Sequence, residues 1–154
     1  MKIPTNLKHK PVIAVENYAS IDGKYQNETD AVGLSIGFAQ WWNGDLSAKI
    51  WRYSDKNKWS RQSEELPLHR VFDLALLIVE CCASISNIDE EISEIASFPT
   101  LQGNEEKITM CEWDGKPIPK INIDRFVNML KEEEKSFLKE RFSALANLLK
   151  GMGY

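Results

Sequence analysis

Along the first third of the chain, apolar residues alternate with polar or small ones, the period of two expected of strands with one buried face. A β-branched, apolar run at residues 12–18 predicts the first strand, and residues 34–39 and 46–51 alternate strictly. Asn43-Gly44 between the last two is the strongest short hairpin signal, and residues 55–58 predict a second hairpin. These patterns predict an antiparallel meander with one face for a core.

Residues 67–86 follow the helical period instead. Pro67 suits a first helical turn, because its missing N–H leaves no hydrogen bond unmade there. The helically spaced apolar positions are Leu68, Val71, Phe72, Ala75, Ile78, Val79 and Cys82. Further leucines make the segment apolar nearly all round, which predicts a central, buried helix. We expect almost full burial of Leu74, Ala75, Ile78 and Val79.

The next part of the chain is acidic and less regular. Residues 87–106 contain helix breakers, although a short helix at residues 89–96 fits the pattern. Residues 107–113 predict a strand, Asp114-Gly115 a turn, and residues 118–123 a returning strand.

The C-terminal part predicts a long helix, capped by Asn122 or Asp124 and ended by Gly151. Its apolar stripe is Phe126, Val127, Leu130, Phe137, Leu138, Phe142, Leu145, Leu149 and Met152. The acidic residues 132–134 interrupt this stripe and predict a kink or break. The complete pattern predicts a single α+β domain over residues 1–154: an antiparallel β-meander sheet packed against a buried central helix and a long C-terminal helix.

Composition supports a folded chain and narrows its partners. Of the 154 residues, 43% are hydrophobic and 27% charged, as in ordinary globular domains. The net charge is −4, so nucleic acid is disfavoured as a partner, because nucleic-acid binders must neutralise phosphates. Lys49, Arg52, Lys56, Lys58 and Arg61 could nevertheless form a local basic patch.

The lack of a recognisable targeting signal and the cysteine usage predict a cytoplasmic protein. The N-terminus lacks the apolar core of a signal peptide, and no apolar run approaches the roughly 20 residues of a membrane span. The odd number of cysteines, Cys81, Cys82 and Cys111, predicts reduced thiols rather than a disulfide framework.

The densest polar segment, RQSEELPLHR at residues 61–70, is the candidate site. A functional interpretation makes Glu64 or Glu65 a carboxylate base and His69 a proton carrier, and these three are the catalytic candidates. Arg61 and Arg70 would then hold an anion. A structural interpretation is favoured, because carboxylates before a helix serve as caps and the arginines can pair with them.

Metal, nucleophile and phosphate motifs give no further site. His9 and His69 are the only histidines, and no CxxC, HxxxH or HExxH spacing is present, so neither a metal nor a cofactor is expected. Cys81 and Cys82 are adjacent on a helix and cannot share a face; buried small hydrophobes describe them better. GxSxG, Walker and dinucleotide-binding spacings are also missing.

Tryptophans are concentrated in the predicted sheet, four of five between residues 41 and 59. Trp41 and Trp51 fall on the sheet face opposite Leu34, Ile36 and Ile50. Exposed sheet aromatics often mark a binding surface, which makes Trp51 a ligand-binding candidate. A second layer, such as the C-terminal helix, would instead cover this face, and small residues in the same strands favour coverage.

Three stretches, WSRQSEELPLHRVFDLALLI (59–78), GLSIGFAQW (33–41) and LSAKIWRY (46–53), resemble a family of uncharacterised bacterial proteins of about this length. The resemblance implies a bacterial, cytoplasmic setting and a domain of unknown function. It implies no activity, substrate or site residue.

Three classes of function remain. A non-catalytic binding or protein-interaction domain, with a protein or small-molecule partner and compatible with a homodimer, is favoured over an enzyme. The first alternative is a small enzyme with its polar site around residues 61–70. The second is an acidic inhibitor or immunity-type protein, supported only by charge.

Overall fold

The computed structural model describes residues 2–41, 44–54, 58–60, 63–84, 94–98 and 106–154. The chain forms two units, residues 1–73 and 74–154, and each is described by itself. An antiparallel sheet, a central helix and a long C-terminal helix confirm the predicted α+β class. The extension of a single domain over residues 1–154 stays a prediction.

The described part of the first unit contains a five-stranded antiparallel sheet. Strands β1 to β5 lie at Lys10–Val15, Ala31–Phe38, Leu46–Ser54, Lys58–Trp59 and Glu65–Pro67. β1, β2, β3 and β4 are neighbours in chain order, and β5 also pairs with β3. Both predicted hairpins are confirmed by the β2–β3 and β3–β4 pairings, although residues 42–43 and 55–57 of their turns lie outside the described residues. Short 3₁₀ turns at Tyr18–Ile21 and Gly23–Tyr25 lie between β1 and β2.

The face of the sheet with small residues is the buried one. Along β2, Ala31, Gly33, Ser35 and Gly37 are buried, whereas Ile36 on the opposite face is 43% exposed. Ile3 of the N-terminal segment lies on this small-residue face: a Cβ on Gly33 would come within 2.8 Å of its Cδ1 atom. Small side chains therefore let another segment of the chain approach the sheet closely, as the sequence predicts.

Gly37 marks the closest approach between two strands. It pairs with Pro11 of β1, and a Cβ at Gly37 would lie 2.0 Å from the backbone carbonyl oxygen of Lys10. The β1–β2 register shifts between Pro11 and Ile13, an irregularity next to this contact. Only glycine fits here, because any side chain would collide with backbone rather than with a movable side chain.

Helix α1, Leu68–Ser84, forms where the periodicity predicts it, within two residues of each predicted end. The expected burial is wrong: Leu74, Ile78 and Val79 are 50%, 41% and 39% exposed, and Ala75 is only partly buried. Cys82 is its one buried residue. Apolar residues all round a helix favour its burial, but how much of the helix is covered depends on tertiary contacts that the sequence pattern does not give.

The described residues of the second unit contain two short strand pairs. β6, Glu94–Phe98, pairs with β7, Glu106–Thr109, and β8, Glu112–Trp113, pairs with β9, Lys116–Pro117. A turn at Asp114-Gly115 joins the last two, with both residues at positive φ, as predicted. The short helix predicted at residues 89–96 is contradicted at residues 94–96, which are strand, and its residues 89–93 lie outside the described part.

A long helix ends the chain. It comprises α2, Lys120–Glu133, a π-helical turn, Glu134–Leu138, and α3, Lys139–Met152. The strand predicted at residues 118–123 is wrong throughout, because β9 ends at Pro117 and the helix begins at Lys120. Neither predicted cap is used: Pro119 occupies the N-cap position and no side chain caps the helix. At the other end, the C-cap is Gly153, at φ 94°, rather than Gly151.

Candidate functional site

The start of strand β5 separates the two candidate carboxylates: Glu65 is its first residue and Glu64 directly precedes it. The strand pairs with β3 so that Glu65 lies beside Lys49 and Pro67 beside Ser47. Side chains alternate along a strand, so the Glu65 side chain shares the buried face with Ser47, and Glu64 points away from it. The side chain of Glu65 is 1% exposed and that of Glu64 is 50% exposed. Two neighbouring carboxylates therefore have unlike environments, one buried and one exposed.

Glu65 accepts hydrogen bonds from four groups. The backbone N–H of Gln40 donates to Oε1 at 2.8 Å, and the Ser47 hydroxyl donates to the same oxygen at 2.8 Å. The Lys49 ammonium donates to Oε2 at 3.0 Å, and His9 Nδ1 lies 3.1 Å from Oε1. The buried charge is therefore paired and fully hydrogen-bonded, the condition under which proteins tolerate one.

His9 extends this network across the sheet. Its side chain is fully buried, its Nδ1 faces the Glu65 carboxylate, and its Nε2 lies 3.0 Å from Ser35 Oγ. A carboxylate only accepts, so in a neutral imidazole Nδ1 carries the proton and the Ser35 hydroxyl donates to Nε2. The indole N–H of Trp51 donates to Ser35 Oγ at 2.8 Å and completes the chain of bonds.

Serine, histidine and carboxylate follow here in the order known from acyl-transfer enzymes. Ser35 is only 5% exposed, and its hydroxyl oxygen already accepts the Trp51 indole N–H. Trp51 is itself 1% exposed, with its ring edge-on to His9 at 5.7 Å between centroids. A nucleophile needs access to its substrate, so this cluster of His9, Ser35 and Glu65 is best described as a structural network.

The hydrogen bonds also determine the acidity of Glu65. Burial alone raises the pKa of this carboxyl, but the donors Gln40, Ser47 and Lys49, with His9, outweigh it and bring the pKa below its ordinary value. A general base at neutral pH works best with a pKa near 7. Glu65 is therefore a weak base that is charged at neutral pH.

Glu64 belongs to a separate surface ion cluster. Arg52 donates to it through Nε at 3.0 Å and through its terminal nitrogen at 2.7 Å, and also donates to Asp30. The hydrogen bond from Arg52 lowers the pKa of Glu64, and the two carboxylates raise that of Arg52. Because these groups are substantially exposed, the pairing contributes little to stability.

The predicted capping role of these carboxylates is wrong. Helix α1 begins only at Leu68 and has no acidic residue in its first turn. Glu64 and Glu65 stand upstream, where Glu64 uses its backbone carbonyl to accept the Ile50 N–H at 2.9 Å. Pairing with β3 uses these residues instead: Glu65 begins strand β5, and Glu64 directly before it accepts the Ile50 N–H.

An open cavity of about 590 Å³ lies beside Glu65, and we call it the Arg70 cavity. Its lining residues are Trp41, Asp45, Leu46, Glu65, Pro67, Leu68, His69 and Arg70. The Trp41 ring is held by its indole N–H, which donates to Asp45 Oδ2 at 2.9 Å. His69 and Arg70 are both exposed, and neither has a hydrogen-bond or ion-pair partner among the residues that the structure describes.

Of the predicted site residues, the fold brings Glu65, His69 and Arg70 into one cavity. Glu64 lies outside it, and Arg61 lies outside the described residues. Trp51 is buried, as the coverage interpretation predicts, but the residues shown against it are His9, Trp59 and Lys49.

Sequence reasoning missed His9, Ser35, Lys49 and Trp41. The one available signal was the stretch of small residues in β2, which predicts a close neighbour without naming it. Alternation also places Ser47 and Lys49 on the same strand face as Trp51, but it gives no reason to add a histidine from another segment.

Two further findings concern ions and membranes. Within the described ranges, no group of three or more histidine, cysteine, aspartate or glutamate side chains is arranged to hold a metal ion. None of the helices in those ranges is long and apolar enough to cross a bilayer.

Comparisons with known proteins place the chain in a family without assigning a role. No curated protein matches the chain, and no solved structure does. The model of a family of unknown function, DUF6530, matches residues 1–154. The predicted membership in an uncharacterised family is thus confirmed, and the chain belongs to the family of unknown function DUF6530.

Proposed function

We propose that this chain is a non-catalytic binding domain whose ligand occupies the Arg70 cavity. The ligand would be a small molecule with an anionic group and a flat apolar part. One observation carries the proposal: Arg70 and His69 reach an open cavity of about 590 Å³ with no partner in the described structure. That volume lies in the range of small-molecule sites, about 300–1,000 Å³.

The start of α1 favours an anion. The first N–H groups of a helix lack partners inside it, and they carry a partial positive charge. The first turn of α1 has no acidic side chain to neutralise that charge, and Arg70 adds a guanidinium. A carboxylate or phosphate could be bound there by the backbone and by Arg70 together.

The carboxylates of the cavity are already engaged. Asp45 accepts the Trp41 indole N–H, and Glu65 is balanced by the Lys49 ammonium. The charge of Glu65 is therefore compensated, whereas Asp45 keeps its negative charge, so the attraction by Arg70 and the start of α1 must exceed its repulsion. By fixing the Trp41 ring, Asp45 also provides a flat surface against which an apolar group can stack.

The enzyme alternative is less well supported. It requires Glu64 or Glu65 as base, yet Glu65 has a lowered pKa and four donors, and Glu64 is paired with Arg52 outside the cavity. The bacterial and cytoplasmic setting and a homodimer rest on the sequence alone and remain part of the proposal. An acidic inhibitor or immunity-type protein stays the weaker alternative, supported only by charge.

Differential scanning fluorimetry with benzoate tests the proposal, with benzylammonium as the charge-reversed probe. Benzoate at about 100 times its Kd should stabilise the fold by about 2.7 kcal/mol, which raises Tm by about 5–10 °C in a chain of this size. Benzylammonium should have no such effect. Inorganic phosphate, an anion without a ring, shows in the same assay how much of the stabilisation comes from charge alone.

Arg70→Ala should abolish the benzoate shift. Arg125→Ala is the matched control, because Arg125 is an exposed helical arginine that does not line the cavity. Equal benzoate shifts in both variants, or equal shifts from benzoate and benzylammonium, would show that the Arg70 cavity is not an anion site.

A further inference from the structure

A second cleft, of about 790 Å³, lies where the segment between β1 and β2 meets β3. We call it the tyrosine cleft, after three of the residues that line it. Its aromatic and acidic lining residues are Tyr18, Tyr25, Tyr53, Asp22, Glu28 and Asp30. It shares no lining residue with the Arg70 cavity, so the inference below is independent of the proposed function.

The cleft has an excess of negative charge. Asp30 is paired with Arg52, whose guanidinium also binds Glu64, so that positive charge is fully used. The carboxylates of Asp22 and Glu28 have no hydrogen-bond or ion-pair partner among the described residues. Two carboxylates thus remain available to a ligand.

The tyrosine rings provide a second attraction for positive charge. An aromatic face attracts a cation through its quadrupole within about 6 Å of the ring centroid. The chain itself uses this attraction here, since the Lys24 ammonium lies 5.3 Å from the centroid of Tyr25. Tyr25 is 56% exposed, so its ring remains accessible to a ligand as well.

Backbone and side-chain hydrogen bonds hold the cleft open. The Asn27 N–H donates to the Ala19 carbonyl at 2.8 Å, and the Gln26 side chain donates to the Ser20 carbonyl at 2.6 Å. Asn27 has a positive φ of 62°, which closes the turn. A preformed cleft lowers the ordering cost of binding.

The Tyr53 ring is held in place by contacts of its own. The Tyr53 N–H donates to the Asp30 carbonyl at 2.8 Å, and the Tyr53 ring contacts Trp59 edge-on at 5.3 Å between centroids. Strand β3 therefore positions one wall of the cleft and the segment before β2 positions the other.

We propose that the tyrosine cleft binds an organic ammonium cation. Tyrosine faces suit a weakly hydrated, alkylated ammonium group, and the free carboxylates of Asp22 and Glu28 complement its charge. A bare metal ion is a poorer match, because the described residues contain no cluster of metal-binding side chains. Recognition would depend on both the aromatic faces and the carboxylates.

Titration of the full chain with tetramethylammonium chloride, followed by ¹H–¹⁵N NMR, tests this proposal. Sodium chloride at equal ionic strength is the reference for screening. Saturable shifts should be confined to amides of residues 22–31 and Tyr53. Ordinary salt effects would instead be linear and spread over the molecule.

Three variants determine what binds the cation. Tyr25→Leu keeps the bulk of the side chain but removes the ring, and should weaken binding at least fivefold. Glu28→Gln should weaken it at least twofold. Lys24→Met removes a competing charge above the ring and should tighten binding at least twofold.

Tyr154→Leu is the matched control and should leave the affinity unchanged, because Tyr154 is 84% exposed and does not line the cleft. If Tyr25→Leu loses the native spectrum, Glu28→Gln and Lys24→Met decide, since they should change affinity in opposite directions. Non-saturable shifts, or affinities within twofold of wild type for all three cleft variants, would overturn the proposal.

Discussion

Two glutamates that are adjacent in sequence, Glu64 and Glu65, allow the buried network to be tested with a built-in control. Glu65→Gln keeps the size of a side chain that is 1% exposed, and Glu64→Gln makes the same change in one that is 50% exposed. If the network around Glu65 holds β5 and the N-terminal segment on the sheet, the two variants should differ strongly in stability.

The expected magnitude follows from the partners that Glu65 serves. Glutamine has one carbonyl oxygen for the four donors, and its amide nitrogen would face at least one of them. Lys49, whose side chain is 10% exposed, would lose its counter-charge. Breaking a buried pair costs about 3–5 kcal/mol. Glu64→Gln should cost about 0–1 kcal/mol, the usual value of an exposed pair.

Urea unfolding monitored by tryptophan fluorescence measures both variants, because Trp51 donates to Ser35 within the same network. A lower midpoint at unchanged slope indicates a loss of stability rather than a change in the denatured state. A cost below about 1 kcal/mol for Glu65→Gln would refute the structural role, and so would equal costs at both positions.

The pH dependence of the free energy of unfolding provides a second test of the same network. The pKa of Glu65 is lower in the folded chain than its ordinary value of 4.5, so folding favours the ionised form. Its contribution to the free energy of unfolding is fully present above that ordinary pKa and is lost as pH falls through the folded pKa. The difference between wild type and Glu65→Gln should therefore be constant from pH 6 to 8 and shrink in acid.

Two further predictions concern packing and thiol chemistry. Gly37→Ala should cost about 1–3 kcal/mol in urea unfolding, because its Cβ would lie 2.0 Å from a backbone oxygen, and Gly151→Ala, at an open position, should not destabilise the fold. The exposed thiol of Cys111 should react with a disulfide reagent well before those of Cys81 and Cys82. Burial raises the pKa of both, with further contributions from Glu80 and Glu134. Equal rates for all three thiols would contradict this.

Local periodicity was sufficient to predict the elements in which the apolar pattern is long and regular. Helix α1 could be predicted because its apolar positions repeat over nearly five turns, and the β2–β3 hairpin because strict alternation flanks Asn43-Gly44. Short segments were ambiguous. Residues 118–123 alternate like a strand, but Pro119 fits a helix start and Ile123 is buried as part of the helical stripe that follows.

The interruption at residues 132–134 has a similar explanation. A kink or break was predicted there: α2 ends at Glu133, and the chain stays helical through a π-helical turn at Glu134–Leu138 before α3 begins. A π turn inserts one residue into the helical repeat. This returns Phe137, Leu138 and Phe142 to the less exposed side on which Ile123 and Val127 lie.

The sequence by itself determined the α+β class, the main helices and the hairpins, because these depend on contacts between neighbours in the chain. It also indicated residues 61–70, since their polar density is visible without a fold. Only the tertiary structure decided which sheet face is buried, and that Glu65 rather than Glu64 belongs to the buried hydrogen-bond network. His9 meets Glu65 across 56 positions of sequence, and no local pattern records so distant a pairing. The same long-range contacts separate Glu64 from the Arg70 cavity and leave His69 and Arg70 facing it.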